Sequence, residues 1–209
     1  MGKIIPFTRQ DRNSSRGERD MTEVIREIRA LPRDGALIKT AVDLILKKMG
    51  LTDKYPIPIV RIAQEMGFAV YQQPISDKNL SGYIAISGDL KERYPSDKII
   101  SVSQDESLGH KRFTIAHELA HFLFDFDPGE MSEYYDTYQT DAIHAESPEE
   151  KRANQFAAYL LMPEDIFNKV NDHVKVEGDL YETVNRLAKE FQVSATAARL
   201  HIDEVKSKQ

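Results

Sequence analysis

Cysteine is absent from this chain. No disulfide framework can hold it together, and any metal site must be built from imidazole and carboxylate without thiolate. Long apolar runs are missing too, so no stretch would span a bilayer. The opening MGKIIPFTRQDRNSSRGERD lacks the apolar centre of a secretory signal. Pro6 stands where a myristoylation signal wants Ser or Thr. These features predict a cytoplasmic protein. Positive charge is not in excess: the net charge is −6, which argues against a general nucleic-acid-binding surface. What remains is 209 residues with 41% hydrophobic content, enough for one good core with a helical appendage.

Residues 1–20 are polar and charged and read as a disordered tail. Met21 to Leu31 and Ala36 to Met49 read as helices, and Ile57 to Met66 as a short one closed by Gly67. Phe68 to Gln72, Tyr83 to Ser87 and Lys98 to Ser103 have the length and composition of strands. A small sheet leading into further helices predicts an α+β fold.

The chemistry is concentrated in KRFTIAHELAHFLF, Lys111 to Phe124. From Phe113 onward its only polar residues are Thr114, His117, Glu118 and His121, so the helix is apolar all round and predicted to be buried. Burying two imidazoles and a carboxylate without partners costs several kcal/mol, on the order of 2–7 per group. His117 and His121 stand one helical turn apart on one face and can hold one metal ion, with Glu118 as general base. The competing reading, two core histidines bonded to carbonyls with Glu118 facing solvent, leaves the triplet unexplained.

A catalytic zinc takes three protein ligands. The metzincin extension would need Gly at 124 and His at 127, where Phe124 and Asp127 stand, so that class is excluded. His144, Glu146, Glu149 and Glu150 remain as candidates for the third ligand. Ser147-Pro148 opens the next helix as N-cap and first helical residue, and Pro163 ends it. Glu150 and Asn154 share a face of that helix, pairing a possible ligand with an amide able to accept an imidazole N–H. Ser147-x-x-Glu150 is also a capping box, which competes for the same carboxylate.

RFTIAHELAHFLF followed by EKRANQFAAYLLMP resembles the ImmA/IrrE family of metallopeptidases, over roughly Tyr55 to Val205. The resemblance implies a zinc-dependent, gluzincin-like endopeptidase holding one Zn2+. Carried over by position, it implies His117, His121 and Glu150 as ligands, Glu118 as base and Asn154 behind a ligand histidine. Arg152 departs from the family pattern, where an acidic residue is common. The implied substrate is a helix-turn-helix transcriptional repressor, whose cleavage releases genes of a mobile element or a stress response. Residues 21–209 then read as a single metallopeptidase domain, with its core at 55–173 and a helical hairpin at 179–206.

Three further features bear on function. The acidic, tyrosine-rich stretch Asp125 to Ser147 is long for a connector, and Tyr134, Tyr135 and Tyr138 are candidate hydrogen-bond donors to an oxyanion. Ile99 to Ser103, or the strand beside it, is a candidate sheet edge for an extended substrate. The C-terminal LYETVNRLAKEFQVSATAARLHI resembles a helix-turn-helix, yet its second helix offers only Arg199 and His201 amid alanines. It reads as a packing hairpin, with no sequence-specific DNA binding of its own. The alternative to an enzyme is a non-catalytic regulatory or antitoxin-like partner that retains the fold and acts by docking.

Overall fold

The computed structural model describes residues 5–6, 21–77, 80–127, 134–139 and 147–207. Helix α4 (Leu108–Phe124) organises the rest. Ser107 caps its start, its Oγ accepting from the His110 N–H, and every residue from Thr114 to Phe124 is buried. Ile115, Leu119 and Leu123 are fully enclosed, each such burial worth about 1.5–3 kcal/mol. A helix apolar on every side must be covered on every side.

A five-stranded sheet covers one flank. Its strands are β1 (Ile5–Pro6), β2 (Ala69–Gln73), β3 (Leu80–Ile86), β4 (Lys98–Ser103) and β5 (Tyr134–Gln139), in the order β1-β2-β4-β3-β5. β2 and β4 run parallel and the other neighbours antiparallel. Val70, Ile84, Ile100 and Val102 join the main core, whereas Ala69, Tyr71, Ala85 and Ile99 form a smaller cluster with Tyr94. The sheet meets α4 closely at Gly82, where an added Cβ would lie 2.5 Å from Thr114 Cγ2 and 2.7 Å from Ser101 O.

Helices cover the other flanks. They are α1 (Met21–Arg29), α2 (Leu37–Met49), α3 (Ile59–Glu65), α5 (Pro148–Leu161), α6 (Glu164–Val174), α7 (Leu180–Phe191) and α8 (Ala195–Lys206). α5 lies along α4, while α7 and α8 form the expected C-terminal hairpin. Gly109 of α4 abuts the turn of that hairpin, where an added Cβ would sit 2.6 Å from the Val193 carbonyl carbon. Arg112 is buried beside it and donates to Ile57 O at 2.8 Å and Gln192 O at 3.0 Å. Burial pushes this guanidinium down to about 10, which still leaves it charged at neutral pH. Among the described residues no helix is long and apolar enough to cross a membrane.

The architecture is α+β, as expected, with two revisions to the sheet. Ile99 to Ser103 is no edge: β4 lies between β2 and β3, which are themselves flanked by β1 and β5. Ile5 and Pro6, inside the stretch read as tail, pair with Gln72 and Tyr71. The outer strand nearest α4 is β5, drawn from the segment read as a loop.

Candidate metal centre

Two helices bring the site together. α4 carries His117 and His121 on one face, and α5 carries Glu150 in its first turn. The start of α5 is set by Ser147, whose Oγ accepts from the Glu150 N–H at 3.1 Å, and by Pro148. Only the serine half of the capping box forms, and the competition for the Glu150 carboxylate goes to the histidines. The backbone of Glu150 is capped, while its side chain turns to the histidines.

His117 Nε2 and His121 Nε2 lie 2.9 Å apart. Glu150 Oε2 is 3.2 Å from the first and Oε1 3.4 Å from the second. One donor atom from each of the three residues falls within 4.8 Å of the others. The opposite ring nitrogens point outward to acceptors: His117 Nδ1 to Asn154 Oδ1 at 3.0 Å, and His121 Nδ1 to Asp125 Oδ2 at 2.7 Å. An acceptor at Nδ1 puts the ring proton there and leaves the Nε2 lone pair facing inward.

Electrostatics point the same way. Burial pushes the His117 imidazole down, favouring its neutral, lone-pair-bearing form. For Glu150, burial opposes ionisation more than any other single effect. Were His117 and His121 protonated at Nε2, their hydrogen bonds and charge together would outweigh it and bring the carboxyl down to about 2. Two inward lone pairs and a carboxylate at this spacing repel one another unless a cation lies between them. Ligands about 2.0–2.2 Å from a tetrahedral ion stand roughly 3.3 Å apart, close to the separations observed. The donor set fits a divalent metal ion of the imidazole-and-carboxylate class.

The other predicted residues fall at different depths. Glu118 follows His117 on α4 and is fully buried. Glu149 is exposed on the far side of the first turn of α5 and stands outside the cluster. His144 and Glu146 lie outside the described residues. Tyr134, Tyr135 and Tyr138 belong to β5, at the register positions opposite Ile86, Ala85 and Gly82. His201 is buried between the rings of Tyr159 and Phe167, and Arg199 pairs with Asp203 on its own helix.

Asp125 escaped the sequence reading. The i,i+4 spacing of His121 and Asp125 was its available signal, hidden because Asp125 closes α4 and opens the acidic stretch.

Residues 63–202 match the Peptidase_M78 family model, described as the IrrE N-terminal-like domain. The chain belongs to this family, that of the ImmA/IrrE metallopeptidases. The radiation response metalloprotease IrrE of Deinococcus deserti is 32% identical over 104 residues, 50% of this chain and 35% of that one. Its namesake in Deinococcus radiodurans is 28% identical over 110 residues, 53% of this chain and 32% of that one. The chain thus matches only about a third of the length of these relatives. Among solved structures, a Mycobacterium tuberculosis transcriptional regulator aligns over 86% of this chain and 50% of its own. Its TM-score is 0.50 at 16% identity, a likeness of fold alone. α1 and α2 precede the span matched by the IrrE N-terminal-like model. Arg29 and Arg33 nevertheless donate to Phe122 O at 2.8 Å and Phe124 O at 3.1 Å, just beyond His121.

Proposed function

We propose that this chain is a zinc-dependent endopeptidase, with His117, His121 and Glu150 as ligands and Glu118 as general base. The observation that carries the reading is the convergence of both Nε2 atoms and the Glu150 carboxylate, each Nδ1 being turned to an acceptor of its own. Membership in a metallopeptidase family supports it, as does the name metalloprotease borne by the two Deinococcus relatives. Zinc is the cation best matched to two imidazoles and one carboxylate in a closely packed interior.

When bound, zinc supplies Lewis acidity to a water and to the peptide carbonyl. Glu118 would serve as the general base that accepts a proton from an attacking water and as the acid that delivers it to the leaving amine nitrogen. Asn154 and Asp125 hold the two imidazoles in the tautomer that keeps Nε2 free for the ion. The fully buried surroundings of Glu118 exclude bulk water and strengthen these interactions. β5 gives the substrate an extended partner, since among the described residues it pairs only with β3 and runs beside α4. Tyr134, Tyr135 and Tyr138 on this strand are the proposed donors for stabilising an oxyanion.

The substrate class we propose is a helix-turn-helix transcriptional repressor cut in a flexible segment, as the ImmA/IrrE resemblance implies. The test uses Glu118→Gln. This variant should keep its zinc and still bind the repressor, while cleavage falls by about 10²–10⁴, roughly 3–5 kcal/mol of barrier. In cells it should leave the repressor's target genes silent. Full derepression by Glu118→Gln would show that docking, and not proteolysis, is the output.

A further inference from the structure

We propose that Asp125 is a positioning residue for the metal centre and that Arg152 is the group that holds it in place. This inference rests on the metal-site reading above and concerns what stands behind His121. The two oxygens of Asp125 are divided between two partners. Oδ2 accepts from His121 Nδ1 at 2.7 Å, and Oδ1 accepts from Arg152 Nη2 in a charge-assisted bond. Arg152 stands on α5 two residues after Glu150, so the chain His121–Asp125–Arg152 ties the two ligand helices together beside the ligands.

Helix electrostatics make Asp125 an unexpected choice. It is the C-cap of α4, where the helix dipole disfavours an anion. The carboxylate is retained there against that preference, and Arg152 neutralises it from across the helix interface. Arg29 and Arg33 hold the same turn by bonding the carbonyls of Phe122 and Phe124. A carboxylate behind a ligand imidazole fixes its tautomer and ring plane and makes Nε2 a stronger donor. At its Nδ1, His117 faces the neutral amide oxygen of Asn154. The two ligand histidines are therefore unequal, and His121 is the stronger donor.

The experiment measures zinc affinity of the full chain by competition with a chromophoric chelator, and the visible absorption of the cobalt(II)-loaded protein. No substrate is present. Variants are Asp125→Ala, the isosteric Asp125→Asn, Arg152→Gln, Arg152→Lys and the double change Asp125→Ala with Arg152→Gln. Melting of each metal-free form checks the fold; both side chains are about one-fifth exposed, so folding should survive. Asp125→Ala should weaken zinc binding by about 10–100-fold and shift the cobalt bands. Asp125→Asn and Arg152→Gln should each cost less, and Arg152→Lys should restore most of the affinity by supplying a cation. The double variant should bind zinc no more weakly than Asp125→Ala, because Arg152 acts through Asp125.

Asp125→Ala binding zinc within twofold of the parent overturns the proposal, as does a double variant whose losses simply multiply. A parent chain that takes up no zinc would remove the metal reading and this inference together. If the ratios hold and no peptide is ever cut, the peptidase reading falls while this one stands.

Discussion

The two ends of α4 are held by different physics. At its start, a steric contact and one buried guanidinium fix the helix against loops: Gly109 touches the Val193–Ser194 turn with no room for a Cβ, and Arg112 reaches two distant carbonyls. At its end, contact is through side-chain charge. Arg29 and Arg33 bond the last carbonyls, Asp125 pairs with Arg152, and Glu150 faces both histidines. A sterically locked end fixes where the helix lies. A charge-held end sets how the ligands are oriented and leaves room for a cation to add its own contribution. Position and chemistry are thus assigned to opposite ends of one helix.

The sharpest test of that division is metal-linked stability. Zinc at about a hundred times its dissociation constant should stabilise the fold by about 2.7 kcal/mol, some 5–10 °C in melting temperature for a chain of this size. His121→Ala should abolish the increment while leaving the metal-free melting temperature little changed. An unchanged melting temperature on chelation of the parent would show that the site contributes nothing to the fold.

The converse comes from the other end. Arg112→Met keeps an unbranched apolar stem but strips the Ile57 and Gln192 carbonyls of their shared donor. It should cost about 1–3 kcal/mol in denaturant unfolding and leave zinc affinity unaltered. A large fall in zinc affinity in this variant would mean that the two ends are coupled along the helix. The smallest effect is expected for Arg33→Ala, which loses one bond to Phe124 O and a stacking contact on the Phe124 ring. About 1 kcal/mol of stability should go, with a drop in zinc affinity smaller than that of Arg152→Gln.

Local features of the sequence carried the site well. HELAH needs only helical spacing to put two imidazoles together, and α4 forms where its apolar run lies. Ser147-Pro148 marked the start of α5 to the residue. The C-terminal hairpin also follows from local periodicity, and its turn at Gln192 adopts positive φ. Pairing between distant segments was not legible. The order β1-β2-β4-β3-β5 joins strands with no mutual signature, and β1 is only two residues long. β5 was hidden because YYDTYQ lies in an acidic stretch whose composition reads as loop. α6 follows Pro163 with no gap, and the run Ile166, Phe167, Val170 beyond that proline was assigned to no element. Asp125 was read only as the start of the acidic stretch and Arg152 only as a departure from the family pattern, because the folded chain alone brings them together across 27 positions.

The cap of α5 has a consequence for how such a site can be altered. Because Ser147 and Pro148 define the first turn from within, and Ala153, Phe156 and Leu160 dock the helix by its own apolar face, Glu150 is placed without reference to its distance along the chain from His121. Length added just ahead of Ser147 costs loop entropy, about 0.6 kcal/mol for each doubling. Residues inserted just before Ser147 should leave the three-residue cluster intact. The position just before Ser147 is therefore one where the chain can be lengthened, or a new binding element added, without disturbing the three ligands.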